Sequence, residues 1–167
     1  RMFFRDQVIG KYKILAPLGS GGFGTVFLAE DTWIDKKVAL KVPHRQSTNF
    51  GELLREPRLL ASLNHPNIVT IYDAGEEHDL AYISMEFLKG KDLLPYTKPG
   101  NLLPPQTVFA IISRVADALD YAHSQHVVHR DIKPANIMYE PESDSVKVTD
   151  FGIARITDSS KTKTGMV

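Results

Sequence analysis

His129-Arg130-Asp131-Ile132-Lys133-Pro134-Ala135-Asn136 packs a carboxylate, two cations and an amide into eight residues, directly behind the apolar pair Val127-Val128. Moving a phosphoryl group asks for a carboxylate to accept a hydroxyl proton, an oxygen ligand for Mg²⁺, and positive charge near the group in flight. Asp131, Asn136 and Lys133 are of those three types. Further on, Asp150-Phe151-Gly152 adds a second hard oxygen beside a flexible glycine. Taken singly, Asp150 reads as a turn residue and Asn136 as a cap. Taken in order, they read as one chemistry.

Upstream lies a glycine run, Gly19-Ser20-Gly21-Gly22-Phe23-Gly24, which fits G-x-G-x-x-G with Val26 two residues on. Glycine lets backbone N–H groups come close to phosphate oxygens because no side chain intervenes. In isolation the run is equally a glycine-rich hairpin turn. A dinucleotide-binding fold needs it to run from strand into helix. Here Thr25-Val26-Phe27-Leu28 follows, a β-branched and aromatic run that predicts a strand, so the dinucleotide reading fails. Val38-Ala39-Leu40-Lys41 is an apolar strand ending in a lysine, a residue suited to act as a point charge on phosphates. Such a lysine needs a carboxylate to hold it. Glu56 is the first candidate and Glu52, one helical turn earlier, the second.

In this order these motifs resemble the protein kinase superfamily, over nearly the whole chain from about Val8 to Val167. The resemblance implies a bilobal α+β fold: a five-stranded antiparallel N-lobe with one helix, then an incomplete helical C-lobe. It implies that Lys41 contacts the α/β-phosphates and pairs with Glu56, that Asp131 is the catalytic base, and that Lys133 helps hold the γ-phosphate. Asn136 and Asp150 would hold Mg²⁺ or Mn²⁺. The glycine loop, Gly19 to Gly24, would cover the phosphates of ATP; Met85 would guard the back of the adenine pocket. Glu86 to Leu88 would be the hinge, and Val26, Ala39 and Met138 would sandwich the ring. Lys133 after His-Arg-Asp-Ile resembles the Ser/Thr branch. Asn64-His65-Pro66-Asn67-Ile68-Val69 and Gly152-Ile153-Ala154-Arg155 resemble the bacterial, eukaryotic-like Ser/Thr kinases. The implied partners are ATP and a protein substrate. The implied location is the cytoplasm, either free or as the cytoplasmic part of a membrane-anchored kinase. A phosphate on Thr162 or Thr164 could pair with Arg130.

The rest of the sequence sets bounds. Twenty basic residues balance twenty acidic ones, so no bulk charge favours nucleic acid or an anionic membrane. There is no cysteine, which excludes disulfides, thiolate metal sites and a Cys nucleophile. No apolar run is long enough to span a bilayer. The chain does not open with Met and reads as a piece of a longer protein. The first half has strand character: Tyr12 to Leu18, Thr25 to Glu30, Lys37 to Val42, Ile68 to Ala74 and Leu80 to Phe87, with a helical pattern from Phe50 to Leu63. In the second half, Pro104 to Ser124 predicts a helix with Val108, Ile111, Ile112, Val115, Leu119 and Ala122 on one face. Ile137 to Tyr139 and Val146 to Val148 are short apolar runs. A boundary near Lys89-Gly90 predicts a nucleotide-binding part, 1–89, and a partial catalytic part, 90–167.

Two features depart from the family pattern. Pro57 follows Glu56 inside the predicted helix, and proline there costs about 3 kcal/mol and predicts a break between Leu53 and Pro57. After Gly152 the chain runs only to Val167, so the later family segment is missing. The apolar helix face is therefore expected to be exposed and to invite association, and the isolated piece to transfer little phosphate. Two other function classes compete: a catalytically silent nucleotide-binding scaffold, and a small-molecule phosphotransferase. Against the first, Lys41, Asp131, Asn136 and Asp150 are all unsubstituted; against the second stand His129-Arg130-Asp131 and Lys133-Pro134.

Overall fold

The computed structural model describes residues 3–20, 24–43, 60–78 and 80–150. They fall into two compact units, Arg1–Ala61 with Thr70–Phe87, and Ser62–Val69 with Leu88–Val167.

The first unit is an antiparallel sheet of β1 (Val8–Ile9), β2 (Tyr12–Ser20), β3 (Gly24–Asp31), β4 (Lys36–Pro43), β5 (Ile71–Glu77) and β6 (Leu80–Glu86), in the order β1-β2-β3-β4-β6-β5. The five strands expected from sequence are one short. The additional strand, β1, is two residues long, too brief to show a period, and it pairs Val8 with Lys13 and Ile9 with Tyr12. Side chains alternate across a strand, and β4 is buried on both faces. Val38, Leu40 and Val42 enter a core cluster with Ile9, Tyr12, Ile14, Phe27 and Ala29. Burying an aliphatic side chain such as Leu40 contributes about 1.5–3 kcal/mol. Ala39 and Lys41 point the other way and are also buried.

The sheet is strongly curled. β2 and β5 are not neighbours in strand order, yet the Tyr12 hydroxyl donates to Asp73 Oδ2 at 3.3 Å. Burial pushes the Tyr12 phenol up to about 12, with the carboxylates of Asp73 and Asp31 adding to the shift. Tyr82 packs edge-on against Tyr12, ring centroids 5.6 Å apart. Close approach is possible because Gly75 lies under the Tyr82 hydroxyl, where a Cβ would come within 2.6 Å of that oxygen.

The second unit holds β7 (Lys91–Asp92), the helix α1 (Pro105–Ser124), β8 (Ile137–Glu140) and β9 (Ser145–Val148), with single 3-10 turns at Leu94–Thr97 and Pro134–Asn136. The three strands form one antiparallel sheet in the order β7-β8-β9. α1 begins with proline in its first turn, where a missing N–H costs nothing. It ends at Ser124, capped by Gln125, and the following His126 is left-handed with φ 63°. Its buried stripe is Ile111, Val115, Ala118 and Ala122, and it packs on β9. Of the face predicted from sequence, Ile111, Val115 and Ala122 are buried, while Val108 and Ile112 are exposed, so the exposure expected of that face holds for part of it. Arg114 reaches from α1 to the β8–β9 turn, donating to the carbonyl and Oδ1 of Asp144.

The segment before β5 belongs to this second unit. Ile68 and its neighbours, expected to open β5, bond to β9 instead: Val148 N–H donates to Asn67 O at 2.8 Å and Val69 N–H to Val148 O at 3.0 Å. β5 therefore starts at Ile71. Tyr121 of α1 secures the same segment, accepting the Asn64 N–H at 2.9 Å and stacking on His65. Most of the helix predicted from Phe50 to Leu63, with Glu52, Glu56 and the break expected at Pro57, lies outside the described residues; Leu60 and Leu63, at its end, are buried.

Candidate active site

The polar loop between α1 and β8 owes its shape to one buried ring. His129 is 1% exposed. Its Nδ1 accepts the Asp131 backbone N–H at 3.1 Å, and its Nε2 lies 2.7 Å from the carbonyl of Thr149. A backbone N–H only donates and a carbonyl only accepts, so these partners define the Nε2–H tautomer. One imidazole thus ties the backbone of Asp131 to the residue preceding Asp150. The sequence reading gave His129 and Thr149 no role; the signal available was a histidine immediately before the charged run.

Asn136 is the second tie. It is buried, and its Nδ2 donates to the Asp131 carbonyl at 2.8 Å and more weakly to Asp131 Oδ2 at 3.4 Å. Its own carbonyl accepts the Thr149 N–H at 2.8 Å, and the Thr149 hydroxyl at 3.3 Å. With Nδ2 directed onto Asp131, Oδ1 is the side-chain atom left to face a cation. The β8–β9 hairpin fixes the rest: it pairs Ile137 with Val148, so Asn136 before β8 and Asp150 after β9 sit at the same open end. The Thr149 hydroxyl also lies 3.5 Å from Asp150 Oδ2. Lys133 Nζ is 3.3 Å from Asp131 Oδ2, with both side chains substantially exposed, so solvent screens the pair.

Two of the described residues that are left-handed and not glycine lie here, the others being Asp6, Asp35, His78, His126 and Asp144. Arg130 has φ 73° and Asp150 φ 60°, left-handed conformations that side chains other than glycine rarely adopt. Such residues cost on the order of 1–3 kcal/mol each and tend to cluster at functional sites. Arg130 directly precedes Asp131, and Asp150 follows β9.

The donor set suits a divalent cation of Mg²⁺ type. Asn136 Oδ1 and the Asp150 carboxylate are hard oxygens, and Mg²⁺ takes one or two protein oxygens, filling the remainder with water and phosphate. Among the described residues no cluster of three His, Cys, Asp or Glu offers a closed metal cage. A site completed by a phosphate ligand is what these groups fit.

On the first unit, Val26, Ala39, Lys41 and Met85 share one face of the sheet. The register runs Val26↔Lys41 and Lys41↔Ile83, with Ala39↔Met85 beside it. Lys41 is 7% exposed on this face. Gly19 and Ser20 end β2 and Gly24 opens β3, pairing with Pro43; Gly21, Gly22 and Phe23 lie outside the described residues. Glu86 exchanges two bonds with Thr70, donating its N–H to the Thr70 carbonyl and accepting the Thr70 N–H on Oε1, each at 2.9 Å. Leu88 and Met138 are half-buried in the second unit, Met138 on β8 opposite Asp92 and Lys147. Phe151, Gly152, Thr162 and Thr164 lie outside the described residues.

These elements define a class, and comparison with known proteins agrees with it. The model of the protein kinase domain matches residues 12–167. The chain belongs to the protein kinase family. It is 41% identical over 162 residues to the serine/threonine-protein kinase PrkC of Bacillus subtilis, covering 95% of this chain and 25% of that protein. It is also 41% identical over 167 residues to the serine/threonine-protein kinase pkn3 of Myxococcus xanthus, covering 92% of this chain and 30% of that protein. Among solved structures, the Mycobacterium tuberculosis PknI kinase domain superposes with a TM-score of 0.80 at 30% identity, over 91% of this chain and 64% of that one. The chain thus spans under a third of the length of these two curated relatives.

Proposed function

We propose that this chain carries the nucleotide-binding and catalytic residues of an ATP-dependent protein Ser/Thr kinase. The observation that supports this most directly is the fixed pairing of Asp131 with Asn136 and His129, beside Lys133. In this reading a Ser or Thr hydroxyl of a protein substrate hydrogen-bonds to the Asp131 carboxylate. As the hydroxyl oxygen bonds to the γ-phosphorus and the bond to the β-phosphate oxygen breaks, the proton passes to Asp131. Lys133 supplies positive charge where the transferring group gathers negative charge. Lys41 holds the α/β-phosphates from the sheet, with Glu56 as its partner. Gly19, Ser20, Gly21, Gly22, Phe23 and Gly24 cover the phosphates, and Val26, Ala39, Met85, Glu86, Leu88 and Met138 contact the adenine.

Asn136 Oδ1 and Asp150 would hold Mg²⁺ or Mn²⁺, which neutralises phosphate charge when bound. Residues 1–89 serve nucleotide binding and 90–167 catalysis, in a cytoplasmic setting. No helix among the described residues is long and apolar enough to cross a membrane.

The silent-scaffold reading has less behind it. Asp131, Asn136 and Asp150 keep their residue types, and the buried His129 ring joins the backbone of Asp131 to that of Thr149. The test is transfer of the γ-phosphate of ATP to a protein acceptor by the full-length protein, compared with its Asp131→Asn variant. Transfer that is lost in the variant supports the assignment; equal transfer by both, or none by either, sinks it.

A further inference from the structure

We infer that Phe3 is a positioning residue for the nucleotide site, acting as a brace behind β3. The segment that carries it lies before residue 12, where the family match begins, yet it is built into the first unit. Asp6 N–H donates to Ile14 O at 2.8 Å and Ile14 N–H to Gln7 O at 2.8 Å, continuing the β1–β2 ladder. Gln7 closes the turn before it, donating its N–H to Phe4 O at 3.1 Å and accepting the Phe4 N–H on Oε1 at 3.2 Å. The effect is to carry the chain back across β2 and set Phe3 on the core side of the sheet. There it meets Phe27 edge-to-face, centroids 5.3 Å apart and rings at 82°.

Phe27 is the residue through which this contact reaches the site. It is 6% exposed, and its neighbours in sequence, Val26 and Leu28, alternate onto the opposite face, the one that carries Lys41 and Ala39. Phe27 stands in register with Pro17 of β2 and Leu40 of β4 and shares the core cluster with Ile14 and Leu40. β3 enters directly from the glycine run at Gly24. Removing the ring that packs against Phe27 leaves a gap on the core side, and β3 can relax into it, taking Val26 with it. Edge-to-face aromatic pairs carry specificity of orientation beyond their buried area, which suits a brace. The claim about the nucleotide rests on the function proposed above; the claim about β3 does not.

The experiment compares this chain with Phe3→Ala, Phe3→Leu and Ile9→Val, the last trimming the same core on a strand that pairs only with β2. Two quantities are read: the dissociation constant for ATP with Mg²⁺, and residue-resolved amide hydrogen exchange without nucleotide. Phe3→Ala is expected to weaken ATP binding about fivefold and to speed exchange at Val26 to Leu28 about tenfold, with Gly75 and Tyr82 of β5 and β6 unchanged. Phe3→Leu recovers most of both, and Ile9→Val shifts neither. Exchange that rises evenly over all six strands, or not at all, overturns the brace, as does unchanged ATP affinity in Phe3→Ala. Selective exchange at β3 in a chain that binds no ATP supports the brace and sinks the nucleotide reading instead.

Discussion

Asn136 turns its side-chain nitrogen onto Asp131, 2.8 Å from the carbonyl oxygen and 3.4 Å from Oδ2. A single amide thereby holds the proposed base and presents its own oxygen away from it. Replacing it by alanine removes both functions at once. Asn136→Ala in the full-length protein is expected to lower kcat for phosphotransfer about 10²-fold, the scale of loss when a reacting group is misplaced by an ångström or so. KM for the protein substrate is expected to stay nearly constant, because substrate-contacting groups are left in place. Steady-state kinetics at saturating metal would check the split.

Asp131→Asn keeps the shape of the side chain and removes its capacity to take a proton. Positioned general bases contribute about 10²- to 10⁴-fold, so the turnover number should fall within that range. Nucleotide affinity, measured separately by equilibrium binding, should change little. A loss of both together would argue that the substitution has disturbed the loop instead.

His129 separates structural from chemical effects. Its two ring nitrogens serve two backbone groups in a site that is almost fully buried. Substitution by phenylalanine fills the volume but leaves the Thr149 carbonyl and Asp131 N–H without partners. Each buried orphan costs about 1–3 kcal/mol. His129→Phe should therefore lower the unfolding free energy from urea titration by about 2–6 kcal/mol, before any question of activity arises. A fully stable variant would show that the ring does not order the loop.

The strands and α1 could be read from sequence because their patterns are local. The apolar run Val38 to Leu40 and the four-residue spacing of Ile111 and Val115 need no partner to be seen. β1 was missed because a two-residue strand has no period; its existence depends on the free edge of β2. Ile68 was assigned to β5 because it sits in an apolar run, and nothing local says that Val148, eighty residues on, takes its neighbours' hydrogen bonds. Val108 and Ile112 satisfy helical spacing as well as Ile111 and Val115, and spacing alone does not say which of them the described fold covers. In the candidate site, residue types and order were legible because the chemistry restricts them. The parts that orient them, His129 on Thr149 and Asn136 on Asp131, are contacts between a side chain and distant or turned backbone, invisible to spacing.

Tyr12 gives a pH dependence with a definite sign. In the folded protein its phenol titrates at about 12, and in the unfolded chain at the ordinary 10.0. Between those values the folded state holds a proton that the unfolded state has lost, so stability falls as pH rises. The contribution is complete below 10.0 and is lost by the time pH has passed through about 12. Tyr82, also raised chiefly by burial, acts in the same direction. Urea unfolding followed from neutral pH upward should show this decline, and Tyr12→Phe should make it shallower.

The glycine run contains two positions that the same substitution should treat differently. A Cβ on Gly19 would meet nothing within 4 Å. On Gly24 it would run into the Val42 carbonyl and lie 2.7 Å from Pro43 Cα, both backbone atoms of the paired strand β4. A flexible side chain can swing aside from such an intrusion; a strand in register cannot without breaking pairs on either side. Gly19→Ala should therefore leave the unfolding free energy within about 0.5 kcal/mol of the parent, as for a substitution that strains nothing. Gly24→Ala should cost about 1–3 kcal/mol, the usual cost of overpacking. Calorimetry on the pair would decide it. Equal midpoints would mean that β3 and β4 are free to separate at this end, and that Lys41, two residues from Pro43, is not held in place by the pairing described above.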